Sequence, residues 1–333
     1  MKPLFLIPVN LSKEIELFTA TKEKIESEFD VELGIEAIEL YSEKEIDDNI
    51  RKLDNGEAVL DYDTIQGYKI GEIHSIFQRE LLSSLTIRDN TKYLEHSLKT
   101  AAQIVKMTRN KTVNVNSHLS YFVPADDTAW FKANRQHLID TIIKNYSSVK
   151  DLLSKKVSLT VENMDNSRWF KTENKLAIMP LDTSFHDLVD ISKNVNNPNF
   201  GICLDIAHHQ INQVLPDKLD DVEKMQMADC FGLSSFDDFA EFIGTDDYIR
   251  DLMTGSLVKS VHVSNFKGIN ILKERNEHGT TEGLLDIARA RSFVDLAHKN
   301  MIPVTIEVPM EPQKAIKDGF FKNPGKFLEL IGY

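Results

Sequence analysis

The feature that most constrains the fold of this chain is an eightfold alternation of short apolar segments with longer amphipathic ones. The short segments are rich in β-branched residues and have the length of buried strands, whereas the longer ones carry apolar residues at helical spacing. The eight predicted strands span residues 4–9, 34–41, 68–77, 112–122, 156–164, 200–208, 257–266 and 301–309. Strand–helix alternation predicts a parallel sheet, and eight units is the number that closes a (β/α)8 barrel.

Helix signals support the same α/β reading. Asp89 or Asn90, Asp127 and Asp286 each precede a segment with an apolar face and can cap a helix there. A doubly wound open sheet is the alternative, but no GxGxxG motif follows the first strand. We therefore expect a TIM barrel in which residues 1–333 form one domain, with extra helices in the segment 210–256.

Composition limits the partners and the compartment. The formal net charge of −13 disfavours nucleic acid, because an acidic surface repels phosphate backbones. Cys203 and Cys230 form neither a disulfide framework nor a CxxC motif, which favours a reducing cytoplasm. The first apolar run is too short for a signal sequence or a membrane span, so no membrane association is expected. A homo-oligomer remains open.

Ionisable side chains stand near the ends of six consecutive predicted strands. They are His74, His118, Glu162, Asp205 with His208, His262, and Glu307, and His278 follows in the loop after His262. Each alone fits a hydrogen-bonded rim residue or a helix cap. In a parallel barrel, however, all the carboxyl ends of the strands share one face, so these side chains converge. Converging buried charges need a partner, and a mixture of imidazoles and carboxylates suits a divalent metal such as Zn, Mn, Fe or Co.

Four motifs carry a resemblance to known proteins: Glu162 in TVENM, Asp205-x-x-His208 in CLDIAH, His262 in VHVSN, and Glu307 in TIEVP. Their order and spacing, over about residues 68–309, resemble those of the xylose isomerase-like barrel superfamily. That superfamily joins sugar-phosphate isomerases and epimerases to apurinic-site nucleases of the endonuclease IV type. The resemblance is specific for the superfamily and not for the reaction.

The isomerase and epimerase branch implies one divalent metal, drawn from Mn, Zn, Co, Mg and Fe, held by Glu162, Asp205, His262 and Glu307. The expected function is then isomerisation or epimerisation of a small sugar or sugar phosphate through a metal-stabilised enediolate. Glu162 and Glu307 would remove and return the proton, and His208 would touch substrate oxygens.

The loop after the seventh predicted strand offers candidate substrate contacts. Barrels often bind phosphate near the loops after strands seven and eight, so Lys267 and Arg275 are candidates for a phosphate group. Asn276 is a candidate substrate contact beside them. A solvated loop is the simpler interpretation of the basic residues.

The nuclease branch implies further ligands at His74, His118, His208 and His278. A second metal held by His74 and His118 and bridged by Glu162 would make the chain a phosphoester hydrolase, which is the alternative function. Asn276 stands where the nucleases have a ligand aspartate, and this departure disfavours a third metal. The altered loop after the fifth strand and the acidic charge weigh against a DNA substrate. A non-catalytic binding protein on the same barrel is the remote alternative.

Overall fold

A computed structural model describes residues 2–38, 43–75, 91–108, 110–119, 123–124, 128–165, 177–178, 181–267, 277–280, 283–307 and 322–333. The strands within these ranges are β1 (Leu4–Val9), β2 (Glu32–Ile38), β3 (Ile70–His74), β4 (Val113–Ser117), β5 (Val123–Pro124), β6 (Val157–Glu162), β7 (Ala177–Ile178), β8 (Phe200–Asp205), β9 (Val258–Val263), β10 (Asn265–Lys267), β11 (Glu277–Thr280) and β12 (Val304–Ile306). The helices are α1 (Ile15–Glu28), α2 (Glu43–Asp54), α3 (Tyr62–Ile65), α4 (Lys92–Met107), α5 (Thr128–Ser148), α6 (Phe185–Val195), α7 (Ile206–Val214), α8 (Asp221–Phe231), α9 (Phe239–Ile243), α10 (Asp246–Thr254), α11 (Ile287–Lys299) and α12 (Lys322–Leu330).

Eight of the strands form a closed barrel in the order β1, β2, β3, β4, β6, β8, β9, β12 and back to β1. Every neighbouring pair in this ring is parallel. The predicted (β/α)8 barrel is therefore confirmed. Two short antiparallel pairs, β5 with β7 and β10 with β11, lie outside the ring.

The extra helices expected in segment 210–256 are present as well. The segment contains α8, α9 and α10 between the end of α7 and the start of β9. Asp286 caps α11 by accepting a hydrogen bond from the backbone N–H of Arg289, as its position predicts. The predicted caps Asp89, Asn90 and Asp127 lie outside the described residues. None of the helices in the described ranges is both long and apolar enough to cross a bilayer.

Outside β1, whose residues are apolar on both faces, the barrel strands have an apolar outer face and a mainly polar inner one. In β4, Val113 and Val115 belong to the apolar core that packs against the surrounding helices. Asn114 instead donates a hydrogen bond of 3.2 Å to Ser260 of β9. Because β9 is not a neighbour of β4, this bond crosses the barrel interior. Barrel interiors are usually filled by branched apolar side chains, so a polar interior marks this one as unusual.

A rim interaction fixes α7, the helix that carries His208. Asp246, the first residue of α10, accepts two hydrogen bonds from the guanidinium of Arg289 in α11, and His209 Nε2 of α7 lies 3.4 Å from Asp246 Oδ1. Burial opposes ionisation of Asp246, but the hydrogen bonds from His209 and Arg289 outweigh it and hold the pKa of Asp246 well below its usual value. The charged carboxylate therefore joins three helices beside the carboxyl end of β8.

We predict that Asp246→Asn lowers the free energy of unfolding by about 1–2 kcal/mol at pH 7, because a charge-assisted interaction is lost. A carboxyl with a depressed folded-state pKa makes its full contribution to stability above its unfolded pKa of about 4 and loses it gradually as the pH falls from there through the folded-state pKa. The difference from the native chain should therefore shrink in acid, as urea unfolding at pH 7 and pH 3.5 would measure. Asp247→Asn, one position along the same helix and exposed, is the control. Equal losses in the two variants would contradict the prediction.

Candidate metal centre

Four of the predicted ligands meet at the carboxyl end of the barrel. Glu162 ends β6, Asp205 ends β8, His262 lies near the end of β9, and Glu307 directly follows β12. Each offers one ligand atom to a group in which all the atoms lie within 4.8 Å of one another. Strand register explains the convergence, since Asp205 and His262 are paired across β8 and β9. The side chain of Glu307 is 18% exposed, whereas those of Glu162 and His262 are buried, so this group opens toward solvent at Glu307.

The imidazole of His262 sits at the centre of this group. Its Nδ1 lies 2.9 Å from Glu307 Oε1 and 3.4 Å from Glu162 Oε2. Burial opposes the charged ring, but Cys203 and the glutamates around it outweigh burial and raise the pKa of His262 well above its usual value. A metal bound at this nitrogen would therefore compete with a proton, so its affinity should rise with pH.

A second donor group shares Glu162 with the first. His74, His118 and Glu162 each offer an atom within 4.8 Å of the others, and His118 Nε2 lies 3.0 Å from Glu162 Oε2. The rings of His74 and His118 meet edge to face with their centroids 4.8 Å apart. Two of the strand-end histidines singled out by the sequence thus lie beside the four-residue group.

His74 is in the protonation state that a metal ligand requires. Burial and the neighbouring His118 lower the pKa of His74 to about 4, so the ring is neutral at pH 7. Its Nδ1 donates a 3.1 Å hydrogen bond to the carbonyl of Ser75. A carbonyl can only accept, so Nε2 is the nitrogen of the neutral ring with a lone pair for ligation.

Glu162 is ionised although it is buried. Burial raises the pKa of its carboxyl, but the attraction of His118 and His262 outweighs burial and holds the pKa well below its usual value. The Asn116 amide also donates a hydrogen bond to Glu162 Oε2. Among the described residues, the ion-pair partners of Glu162 are the three histidines His118, His208 and His262.

Asp205 combines two of the roles that the sequence left open. Its Oδ1 accepts a 2.7 Å hydrogen bond from the backbone N–H of His208, so it caps α7. The same side chain belongs to the four-residue donor group. The cap also explains the spacing of three, because it places His208 in the first turn of the helix, directly above the strand end.

His208 lies against the donor group without joining it. Its Nδ1 donates a 2.9 Å hydrogen bond to the backbone carbonyl of Asn163, and Nδ1 is 3.5 Å from Glu162 Oε1. Its Nε2 lies 3.8 Å from Asp165 Oδ1. No donor group within the described part of the chain includes His208, so its role as a substrate contact or as a ligand stays a prediction.

The side chains of four further predicted site residues lie outside the described part of the structure. The backbone of His278 lies in β11 and pairs with Phe266, and that of Lys267 lies in β10, but their side chains are outside the described residues. Arg275 and Asn276 are outside them as well, as is most of the loop that follows β6. Their predicted roles in metal and substrate binding stay predictions.

The comparisons with known proteins agree with this architecture. A model for the xylose isomerase-like TIM barrel family matches residues 28–322. The chain belongs to this family. No curated protein sequence gives a significant match.

Solved structures with low sequence identity share the family fold. The IolI protein with a bound zinc atom aligns over 99% of this chain and 98% of its own, with 12% identity and a TM-score of 0.52. A provisionally assigned sugar phosphate isomerase/epimerase from Anabaena variabilis ATCC 29413 aligns over 95% of this chain and 87% of its own, also with 12% identity and a TM-score of 0.52. At these identities the likeness shows the fold alone.

Sequence reasoning missed several polar residues that lie in the barrel interior or directly after β6. They are Glu36, Glu72, Asn116, Asn163 and Asp165, and all are buried. Strand alternation could have found three of them, because Glu72 stands two residues before His74, Asn116 two before His118, and Glu36 between the outward-facing Ile35 and Ala37. Asn163 and Asp165 follow the end of β6, where no periodicity applies.

We predict that Asp205→Asn weakens Zn²⁺ binding more than about 100-fold, since even outer-shell changes commonly cost 10–100-fold. Asparagine still caps a helix, so the melting temperature of the metal-free protein should change little. Competition with a chromophoric chelator measures the affinity. Asp220→Asn is the control, because Asp220 caps α8 without contributing to the donor group. Unchanged Zn²⁺ affinity in Asp205→Asn would remove Asp205 from the ligand set.

Proposed function

We propose that this protein is a divalent-metal-dependent isomerase or epimerase of a sugar or sugar phosphate. The observation that carries the proposal is the group formed by Glu162, Asp205, His262 and Glu307, which is buried except at Glu307. Membership of the xylose isomerase-like family and the description of the Anabaena neighbour agree with this class of reaction.

The donor set fits a divalent cation. Three carboxylates and one imidazole converge at a place where burial makes uncompensated charge costly, and a cation would supply the compensation. The chemistry of the donors suits Zn, Mn, Fe or Co better than calcium, which prefers oxygen ligands alone. A cation bound there would polarise the carbonyl oxygen of a substrate and the hydroxyl beside it.

The two glutamates differ in how well they can move a proton. Glu162 is held ionised by His118 and His262, and a carboxylate with a depressed pKa is a weak base. Glu307 is the member of the group that reaches solvent, so a substrate can approach its carboxylate. We therefore assign the removal of the proton beside the carbonyl to Glu307, which in an isomerisation would also return it. In an epimerisation, Glu162 would return a proton to the opposite face only after taking one up from solvent, while Glu307 would release its proton to solvent.

His208 is placed to orient the substrate. The hydrogen bond from its Nδ1 to the Asn163 carbonyl fixes the ring, and Nε2 lies 3.8 Å from Asp165 Oδ1. We assign to this edge of the ring the contact with a sugar hydroxyl, since an imidazole nitrogen can form a hydrogen bond with a hydroxyl group.

The test is proton exchange. We expect the metal-loaded protein, incubated in D₂O with ketoses, aldoses and their phosphates, to introduce deuterium beside the carbonyl of its substrate, as ¹H NMR would detect. Glu307→Gln should lower the exchange rate by about 10²–10⁴-fold, the usual contribution of a general base. Glu329→Gln, the same change at an exposed position on α12, should leave the rate unaltered. Absence of exchange with the whole panel would contradict the proposal.

The second candidate function is phosphoester hydrolysis, and the group formed by His74, His118 and Glu162 favours it. Cations held on both sides of Glu162 would activate a water molecule and stabilise the leaving oxygen of a phosphate ester. Neutral His74 and ionised Glu162 are in the states that such ligands need. The charge of −13 makes a small phosphate ester a better candidate substrate than DNA.

Metal stoichiometry separates the two functions. If the hydrolase is correct, elemental analysis should find at least two metal atoms per chain, and His74→Gln should remove one of them and abolish phosphate release from simple esters. The control is His96→Gln, the same change at a buried histidine on helix α4, and this variant should retain both metal atoms. A single metal in the native protein would instead leave the isomerase or epimerase as the remaining candidate.

A further inference from the structure

The imidazole of His262 has different surroundings at its two nitrogens. Nδ1 faces Glu307 and Glu162 in the donor group, whereas Nε2 points down into the barrel and lies 3.0 Å from Glu72 Oε1. A neutral histidine can bind a metal through one nitrogen only if the other carries the proton. The group that accepts a hydrogen bond from Nε2 therefore decides which nitrogen is available.

Glu72 is the carboxylate within hydrogen-bonding reach of Nε2. It lies on the inner face of β3 and is fully buried. The other carboxylate nearby, Glu36 of β2, has its Oε1 3.6 Å from the same nitrogen, which is too far for a hydrogen bond. The two glutamates thus share the same interior and the same histidine, but only Glu72 makes the bond.

A network across the barrel holds Glu72 in place. The side-chain amide of Asn114 in β4 has three acceptors, Glu72, Thr160 of β6 and Ser260 of β9, which share its two N–H groups. These contacts link Glu72 to three other strands, so its carboxylate cannot easily turn away from His262. A ligand ring held by a fixed carboxylate is the arrangement that orients histidines in metal sites.

We propose that Glu72 is a positioning residue for the metal centre. By accepting the Nε2–H hydrogen bond of His262, it keeps a proton on Nε2, so that Nδ1, which is aimed at the donors Glu162 and Glu307, is the nitrogen that gives up its proton when a metal binds. This inference rests on the proposed function, because it presupposes that His262 is a ligand. It adds to the proposed metal centre a residue from the polar barrel interior, below the ligands.

The test compares two identical substitutions in the same interior. Glu72→Gln offers Nε2 an amide that can donate as well as accept, so the ring can take the wrong tautomer. We expect its Zn²⁺ affinity, measured by chelator competition, to fall about 10–100-fold. Glu36→Gln makes the same chemical change 3.6 Å from Nε2 and should stay within about threefold of the native affinity. In Co²⁺-loaded protein, the visible absorption bands should shift in Glu72→Gln and stay in place in Glu36→Gln.

The possible outcomes distinguish a failure of this inference from a failure of the proposed metal centre. Equal affinity in native protein and Glu72→Gln would overturn the role of Glu72 and leave the metal centre standing, as would equal losses in both variants. A native protein that binds no metal would overturn the metal centre and this inference together. If Glu72→Gln does not fold, a crystal structure of the Zn²⁺-loaded native protein decides. Ligation through Nδ1 with Nε2 on Glu72 supports the inference, and ligation through Nε2 overturns it.

Discussion

Burying carboxylates inside a closed barrel costs several kcal/mol for each charge unless positive charge or hydrogen-bond donors compensate. Glu36, Glu72, Glu162 and Asp205 are each at most 1% exposed, and all four project from barrel strands. The rest of the barrel interior supplies both kinds of compensation. His262, whose pKa is raised well above its usual value, supplies positive charge near the carboxyl ends of the strands, and the amides and hydroxyls of Asn114, Asn116, Thr160 and Ser260 supply hydrogen bonds below it.

His262 contacts both the donor group at the carboxyl end of the barrel and the hydrogen-bond network below it. One edge of its ring meets the donor group, and the other meets Glu72 and the network that Asn114 anchors. An apolar barrel interior could not accept a hydrogen bond from a central histidine and so could not fix its tautomer. Under the proposal made above, the network that Asn114 anchors belongs to the metal centre, and this role would account for polar side chains where barrels usually have branched apolar ones.

Helix α7 connects the candidate site to the helices that surround the barrel. Asp205 ends β8 and caps α7, while His208 and His209 follow within the first turn of that helix. His208 faces inward toward Glu162, and His209 contacts Asp246, which is held by Arg289 from α11. Neighbouring histidines thus have separate tasks, one at the candidate site and the other in the packing that keeps the helix in position.

The sequence by itself determined the alternation of strands and helices, hence the barrel, and it placed Glu162, Asp205, His262 and Glu307 at strand ends. It could do so because strand periodicity is local and because parallel strands share one carboxyl end. It also singled out His74 and His118, and the family resemblance grouped both with Glu162, beside which the structure places them. Only the tertiary structure decided which inward side chains touch across the barrel. Glu72 and His262 are 190 residues apart, and their contact depends on strand order, register and the pleat of two strands that are not neighbours. These are properties of the closed barrel as a whole, and no single segment of the sequence carries them.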